Sequence, residues 1–174
     1  MNLSELKSNL LESHRSFIST INGLSDEEFI FSANGKWTAG QQAEHLLLSV
    51  KPLNKILAMP KLTVKVMFGT ANRPSKTYEA LVQKYETKLA EGGKATVQFV
   101  PPVVELKQKE ILLSELLSRA EKLCRQLDDF TEEQMDEYIL PHPLLGKLTL
   151  REMMHFTIHH VGHHQKITLR NLGR

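Results

Sequence analysis

Five of the eight histidines of this chain lie in one run, HFTIHHVGHHQKI, at residues 155–167. Imidazole is a common ligand of transition metals, so this run is where the chain is best equipped for chemistry. Successive residues of an α-helix turn by about 100°, which sets His160 and His164 on one face, one turn apart. The pairs His155/His159 and His159/His163 have the same spacing, and the apolar pattern chooses between them. His160 and His164 share their arc with Met153, Phe156 and Ile167, whereas His155, His159 and His163 sit toward a strip carrying Glu152, Lys166 and Arg170. The first pair is therefore expected to point into a core, and the others toward or near water. Two inward imidazoles need partners, because a buried polar ring left unsatisfied costs on the order of 1–3 kcal/mol. A shared divalent metal, about 2.0–2.1 Å from each ring nitrogen, satisfies both, and a local hydrogen bond to each ring is the other solution.

A third imidazole belongs to the stretch ANGKWTAGQQAEHLLLSVKPLNKILAMP, residues 33–60. Asn34-Gly35 is a turn signal, and Thr38 with Gln41 has capping-box spacing, so a helix is expected from just after Trp37 to about Met59. Pro60 stops it, and Pro52 is a possible kink. The face of His45 runs from Gln41 and Gln42 through Leu48 and Ser49 to Pro52 and Ile56, polar first and apolar later. That gradient suits the mouth of a helical bundle. Three imidazoles, His45, His160 and His164, make the usual protein shell of a catalytic zinc site and leave one position for water. Gln41 and Gln42 read as exposed helix-surface glutamines, with orientation of a ligand from behind as the alternative.

The elements that must position these residues are mostly helical. Leu3, Leu6, Leu10, Phe17, Ile18 and Ile21 form one stripe of a first helix, and His14, close to its apolar side, reads as structural or exposed. Ser25 and Glu28 open a short turn. Residues 61–75 read as loop, followed by a helical segment over 76–90 and an extended connector, ATVQFVPP, lying over the bundle. A long helix is expected over 106–129. A short turn at Thr131/Gln134 and a loop, YILPHPLLGKL, lead to a further capping box at Thr149/Glu152, with Leu148 and Met153 placed as a hydrophobic staple. Four substantial helices with moderate connectors predict an all-α, four-helix bundle occupying residues 1–174 as one domain. The last helix has a second apolar strip, Met154, Ile158, Val161, Leu169 and Leu172. A connector or another helix of the chain could cover it, and so could a second subunit; a homodimer is the expectation.

Bulk properties exclude several classes. A net charge of +2 from 22 basic and 20 acidic residues gives no case for nucleic acid as a partner. Lys51, Lys55, Lys61 and Lys65 are the nearest thing to a basic cluster, and with no aromatic residue between them they read as solvated surface. The single cysteine, Cys124, excludes an internal disulfide and falls on an apolar stripe, as a structural thiol would. No stretch approaches the roughly 20 apolar residues of a membrane span, and the N-terminus lacks a signal-peptide core, so a cytoplasmic location is expected.

Trp37-Thr38, His45 eight residues past the tryptophan, and LLGKLTLREMMHF running into HHVGHHQKI together resemble the DinB-like superfamily, a group regarded as metal-dependent enzymes. The resemblance spans essentially the whole chain, and the C-terminal block is its most specific part. It implies a four-helix bundle, usually dimeric, in which three histidines bind a divalent metal, commonly zinc or nickel. By position the ligands fall on His45, His160 and His164, and periodicity selects the same pair on the last helix. His163 matches a frequent neighbour of the second ligand and takes no catalytic role. The resemblance further implies a metal that lowers the pKa of a low-molecular-weight thiol or of water, in a thiol S-transferase or a hydrolase acting on a small molecule. No general base stands out among the matching residues. The alternative is a non-catalytic bundle that binds a partner, with a structural ion or none.

Overall fold

The computed structural model describes residues 1–174. Helix α1 spans Leu3–Asn22, α2 Asp26–Ile30, α3 Ala39–Leu57, α4 Lys61–Phe68, α5 Tyr78–Ala90, α6 Lys109–Leu127, α7 Glu132–Glu137 and α8 Leu150–Asn171. Helices α1, α3, α6 and α8 form the bundle, α1 and α3 each lying between α6 and α8. The capping boxes expected at Ser25, Thr38, Thr131 and Thr149 are all formed, and Asn2 with Glu5 adds one at the start of α1. Each satisfies two backbone donors that would otherwise lie open at a helix start. Pro52 is accommodated inside α3.

The stripe of α1 is buried as its period demands, with Leu6, Leu10, Phe17 and Ile21 fully enclosed. From α6, Leu116, Ala120, Leu123 and Leu127 meet them. Cys124 is buried there, its thiol facing the Lys7 carbonyl, and burial pushes it up to about 11. No helix is long and apolar enough to cross a membrane.

Several expectations need correction. Residues 61–68 are helical rather than loop: α4 buries only Val64 and leaves Leu62, Val66 and Met67 exposed, so no core-facing period betrays it. The Lys cluster is not simply solvated, because Lys65 Nζ donates to Glu137 Oε1 at 2.7 Å and Lys61 Nζ to Gln134 Oε1 at 2.8 Å, while Lys51 pairs with Glu115. The stretch read as a loop before α8 is an antiparallel hairpin, strand β1 Ile139–His142 against β2 Gly146–Thr149, with Leu140 opposite Leu148. Gly146 takes φ +77° at its turn. The strip of α8 assigned to a second subunit is covered within the chain by α1: Met154 and Val161 are buried, and Leu172 packs on the core. The face of α8 assigned to water is also covered in its first half. Glu152 and His155 are buried, and only Lys166 and Arg170, further on, are exposed. Glu152 accepts from both Nη atoms of Arg73, at 2.6 and 2.8 Å, and from the amides of Lys76 and Thr149.

Candidate metal centre

Helices α3 and α8 bring His45, His160 and His164 together across the bundle, joining the pair that helical spacing sets on one face to the histidine of α3. His45 Nε2 lies 3.2 Å from His160 Nε2, and His164 Nε2 lies 2.9 Å from the same atom. The three rings are 5–6% exposed, which disfavours their charged forms. Burial lowers the pKa of all three, against the opposing hydrogen bond at His45, and for His160 and His164 the neighbouring imidazoles push it further, well below the usual histidine value.

What turns the rings is set from behind. His45 Nδ1 donates to the Phe99 carbonyl at 2.7 Å, and His164 Nδ1 donates to Gln42 Oε1 at 2.5 Å. An acceptor behind each ring puts the proton on Nδ1 and leaves Nε2 a lone pair aimed at the cluster. A proton on His160 Nε2 can serve only one of those two lone pairs. The other is left facing nitrogen in a buried place, whereas a cation satisfies all three. Ligands about 2.05 Å from a tetrahedral ion lie about 3.3 Å apart, close to the separations found. The donor set therefore fits a divalent metal.

Gln42 is 2% exposed, so the surface reading of this residue gives way to the alternative; Gln41 instead completes the capping box of α3 with Thr38. Trp37 lies against two of the three rings, its centroid 5.1 Å from His45 and 6.4 Å from His164. Phe156 stacks on His160 at 4.8 Å. His163, partly buried, sits edge-on to His164 at 5.3 Å, and His155 and His159 turn toward Tyr78 instead of the cluster. The Phe99 carbonyl was not foreseen. It comes from the connector, whose sequence places it over the bundle without marking any one backbone oxygen.

The cluster opens on a cavity of about 220 Å³, walled by Leu46, Val50, Leu53, Phe156 and Val161 and rimmed by the exposed Lys94 and Thr96. No fourth His, Cys, Asp or Glu joins the three histidines. Structural zinc sites are closed by four protein ligands, and catalytic ones keep a position open.

A helical bundle carrying three converging, buried imidazoles beside an apolar cavity defines a protein positioned to bind a metal, of the kind that serves metal-dependent enzymes acting on small molecules. The comparison with known families agrees: the profile described as DinB superfamily matches residues 9–167, and the chain belongs to that superfamily. No curated protein and no solved structure gave a significant match.

Proposed function

We propose that the chain is a divalent-metal-dependent enzyme, a thiol S-transferase or a hydrolase acting on a small molecule, with His45, His160 and His164 as the ligands of zinc or nickel. The observation that carries this reading is the convergence of three Nε2 atoms, two of them on rings whose Nδ1 faces an oxygen acceptor, beside a cavity and without a fourth His, Cys, Asp or Glu. A divalent ion held there supplies Lewis acidity, making a bound thiol or water a nucleophile at neutral pH. The chain's own residues do the rest. Gln42 and the Phe99 carbonyl hold two imidazoles in their ligating tautomer, Trp37 and Phe156 flank the cluster, and the apolar wall excludes water from the bound substrate. The protein supplies no thiol of its own, because Cys124 is enclosed between α1 and α6 and its pKa is raised. A transferase reading therefore needs a low-molecular-weight thiol as co-substrate. The reading also includes one domain, a cytoplasmic location and a homodimer. Since α1 covers the second strip of α8, the interface lies on another surface, and sedimentation at micromolar concentration tests it.

The test of the ligand set is metal analysis of protein purified without a histidine tag. His160→Ala should abolish stoichiometric metal, and His159→Ala should leave it. Equal loss in both variants overturns the assignment. Metal-loaded protein should conjugate a small thiol to an electrophile or hydrolyse an activated ester, and chelation should stop it.

A further inference from the structure

His14 is fully buried in the middle of α1 and takes no part in the histidine cluster. Its Nδ1 donates to the Leu10 carbonyl at 2.7 Å, one turn back, so the ring proton is committed there and Nε2 carries a lone pair. That Nε2 has no hydrogen-bond partner. Thr157, which shares the wall with it, offers no donor, since its hydroxyl donates to the Met153 carbonyl at 2.8 Å. Native proteins rarely leave such an acceptor unpaired unless something else supplies the donor.

The place of this orphan acceptor is informative. His14 lines the same cavity as His45, His160 and His164. Arg151 Nη1 donates to the Met1 carbonyl, and Gln165 Nε2 donates to Ser16 Oγ and Thr20 Oγ1, so α1 runs parallel to α8. Those ties set His14 near the level of Val161, the residue after His160. Leu46, Val50 and Val161 surround the intervening space with apolar surface. An apolar void of about 150 Å³ accepts a benzene ring, so about 220 Å³ suits one substituted ring or a branched chain of similar size.

We propose that His14 is a substrate-recognition residue: when the side chains that enclose its ring give way to a small, mostly apolar molecule entering this cavity, Nε2 accepts a hydrogen bond from an O–H or N–H of that molecule. The inference rests on the reading of the cavity as the substrate site and narrows the substrate class. Such a molecule fills the apolar wall with its ring or chain, presents a donor to α1, and offers its reacting group to the histidine cluster. A ligand with no donor leaves the acceptor unsatisfied and is discriminated against on that ground.

Phenol and toluene serve as probes, titrated against the full chain both zinc-loaded and after chelation, and followed by ¹⁵N NMR of the histidine side chains. Phenol should move the Nε2 signal of His14 and toluene should not, with zinc and without it. His14→Leu should weaken phenol about tenfold while toluene binding is retained. His14→Gln, which keeps an acceptor oxygen, should recover part of the phenol affinity. An unmoved Nε2 signal, failure of either probe to enter, or equal loss of both probes in His14→Leu overturns the proposal. Should the leucine variant not fold, the Nε2 response of the unmodified chain decides alone. A chain that binds no zinc yet responds to phenol refutes the metal reading and keeps this one; zinc binding without the phenol response does the reverse.

Discussion

Gln42 offers the sharpest handle on the proposed metal centre, because it touches one of the three clustered histidines without belonging to the cluster. Its Oε1 is the acceptor for His164 Nδ1, and both residues are buried, at 2% and 5% exposure. In Gln42→Leu the shape of the side chain is largely kept, but the Nδ1–H loses its partner in a place where water does not replace it. An unsatisfied buried donor costs about 1–3 kcal/mol. Part of that cost is escaped in the metal-free protein if the proton moves to Nε2, where it faces His160 Nε2 at 2.9 Å. Metal binding must then displace the proton and restore the unsatisfied tautomer. The penalty falls mainly on the bound state, and zinc affinity should drop about 10- to 100-fold, or about 1.4–2.7 kcal/mol. Competition with a chromophoric chelator measures it, while the thermal stability of the metal-free chain should change little. Gln42→Glu should bind at least as tightly as the unmodified protein, since a carboxylate accepts the same hydrogen bond more strongly. Unchanged affinity in Gln42→Leu would refute the claim that this hydrogen bond sets the ligating tautomer.

Further outcomes follow from the surroundings of the site. Burial opposes ionisation of Glu152, but the Arg73 fork and the amides of Lys76 and Thr149 outweigh it and carry the carboxyl from 4.5 down to about 2. The stability this supplies, about 3 kcal/mol, is fully present above pH 4.5 and is lost as the pH falls toward 2. Glu152→Gln should therefore be destabilised at neutral pH and show a flatter acid limb in melts taken across that window; parallel limbs would reject the assignment. His155 is buried with neither ring nitrogen hydrogen-bonded, so His155→Leu should leave stability unchanged or raise it by about 1 kcal/mol in urea unfolding. A loss above about 2 kcal/mol would mean that the ring has a partner after all. Cys124 should resist alkylation at neutral pH in the native chain and react once denaturant is added, and rapid native labelling would contradict its enclosure.

How much of this was legible in the sequence depended on whether a residue announces its surroundings through period. The stripes of α1, α6 and α8 and the four threonine or serine caps could be read directly, because spacing and burial share one cause. That His160 and His164 share an inward face was legible for the same reason, since they lie on the arc of Met153 and Phe156. Helix α4 was not, since most of its apolar residues face solvent and its anchors are lysine tips reaching α7 and the turn before it. Nor was the hairpin, whose four-residue strands carry a proline and a glycine at positions that also suit a loop.

The misreading of α8 shows the limit of a one-helix argument. Glu152 and His155 lie on the face that also carries Lys166 and Arg170, and a helical wheel treats all four alike. The chain treats them differently, because the segment from Arg73 to Tyr78 crosses only the first half of the helix. Arg73 arrives there as the counter-charge that makes burial of Glu152 tolerable, and Tyr78 lies edge-on to His155 at 5.8 Å. The segment that covers this face is the approach to α5, which itself packs on α8 and sets Tyr85 edge-on to Phe156, at 5.2 Å, and to His160, at 6.2 Å. Phe156 in turn stacks on His160. The Arg73–Glu152 pair thus ties down the entry to a helix that backs one of the three clustered histidines. Loss of the pair should loosen α5 against α8 before it unfolds the bundle. Amide exchange would report this as faster exchange across residues 78–90 in Glu152→Gln, with α1 and α6 protected as before.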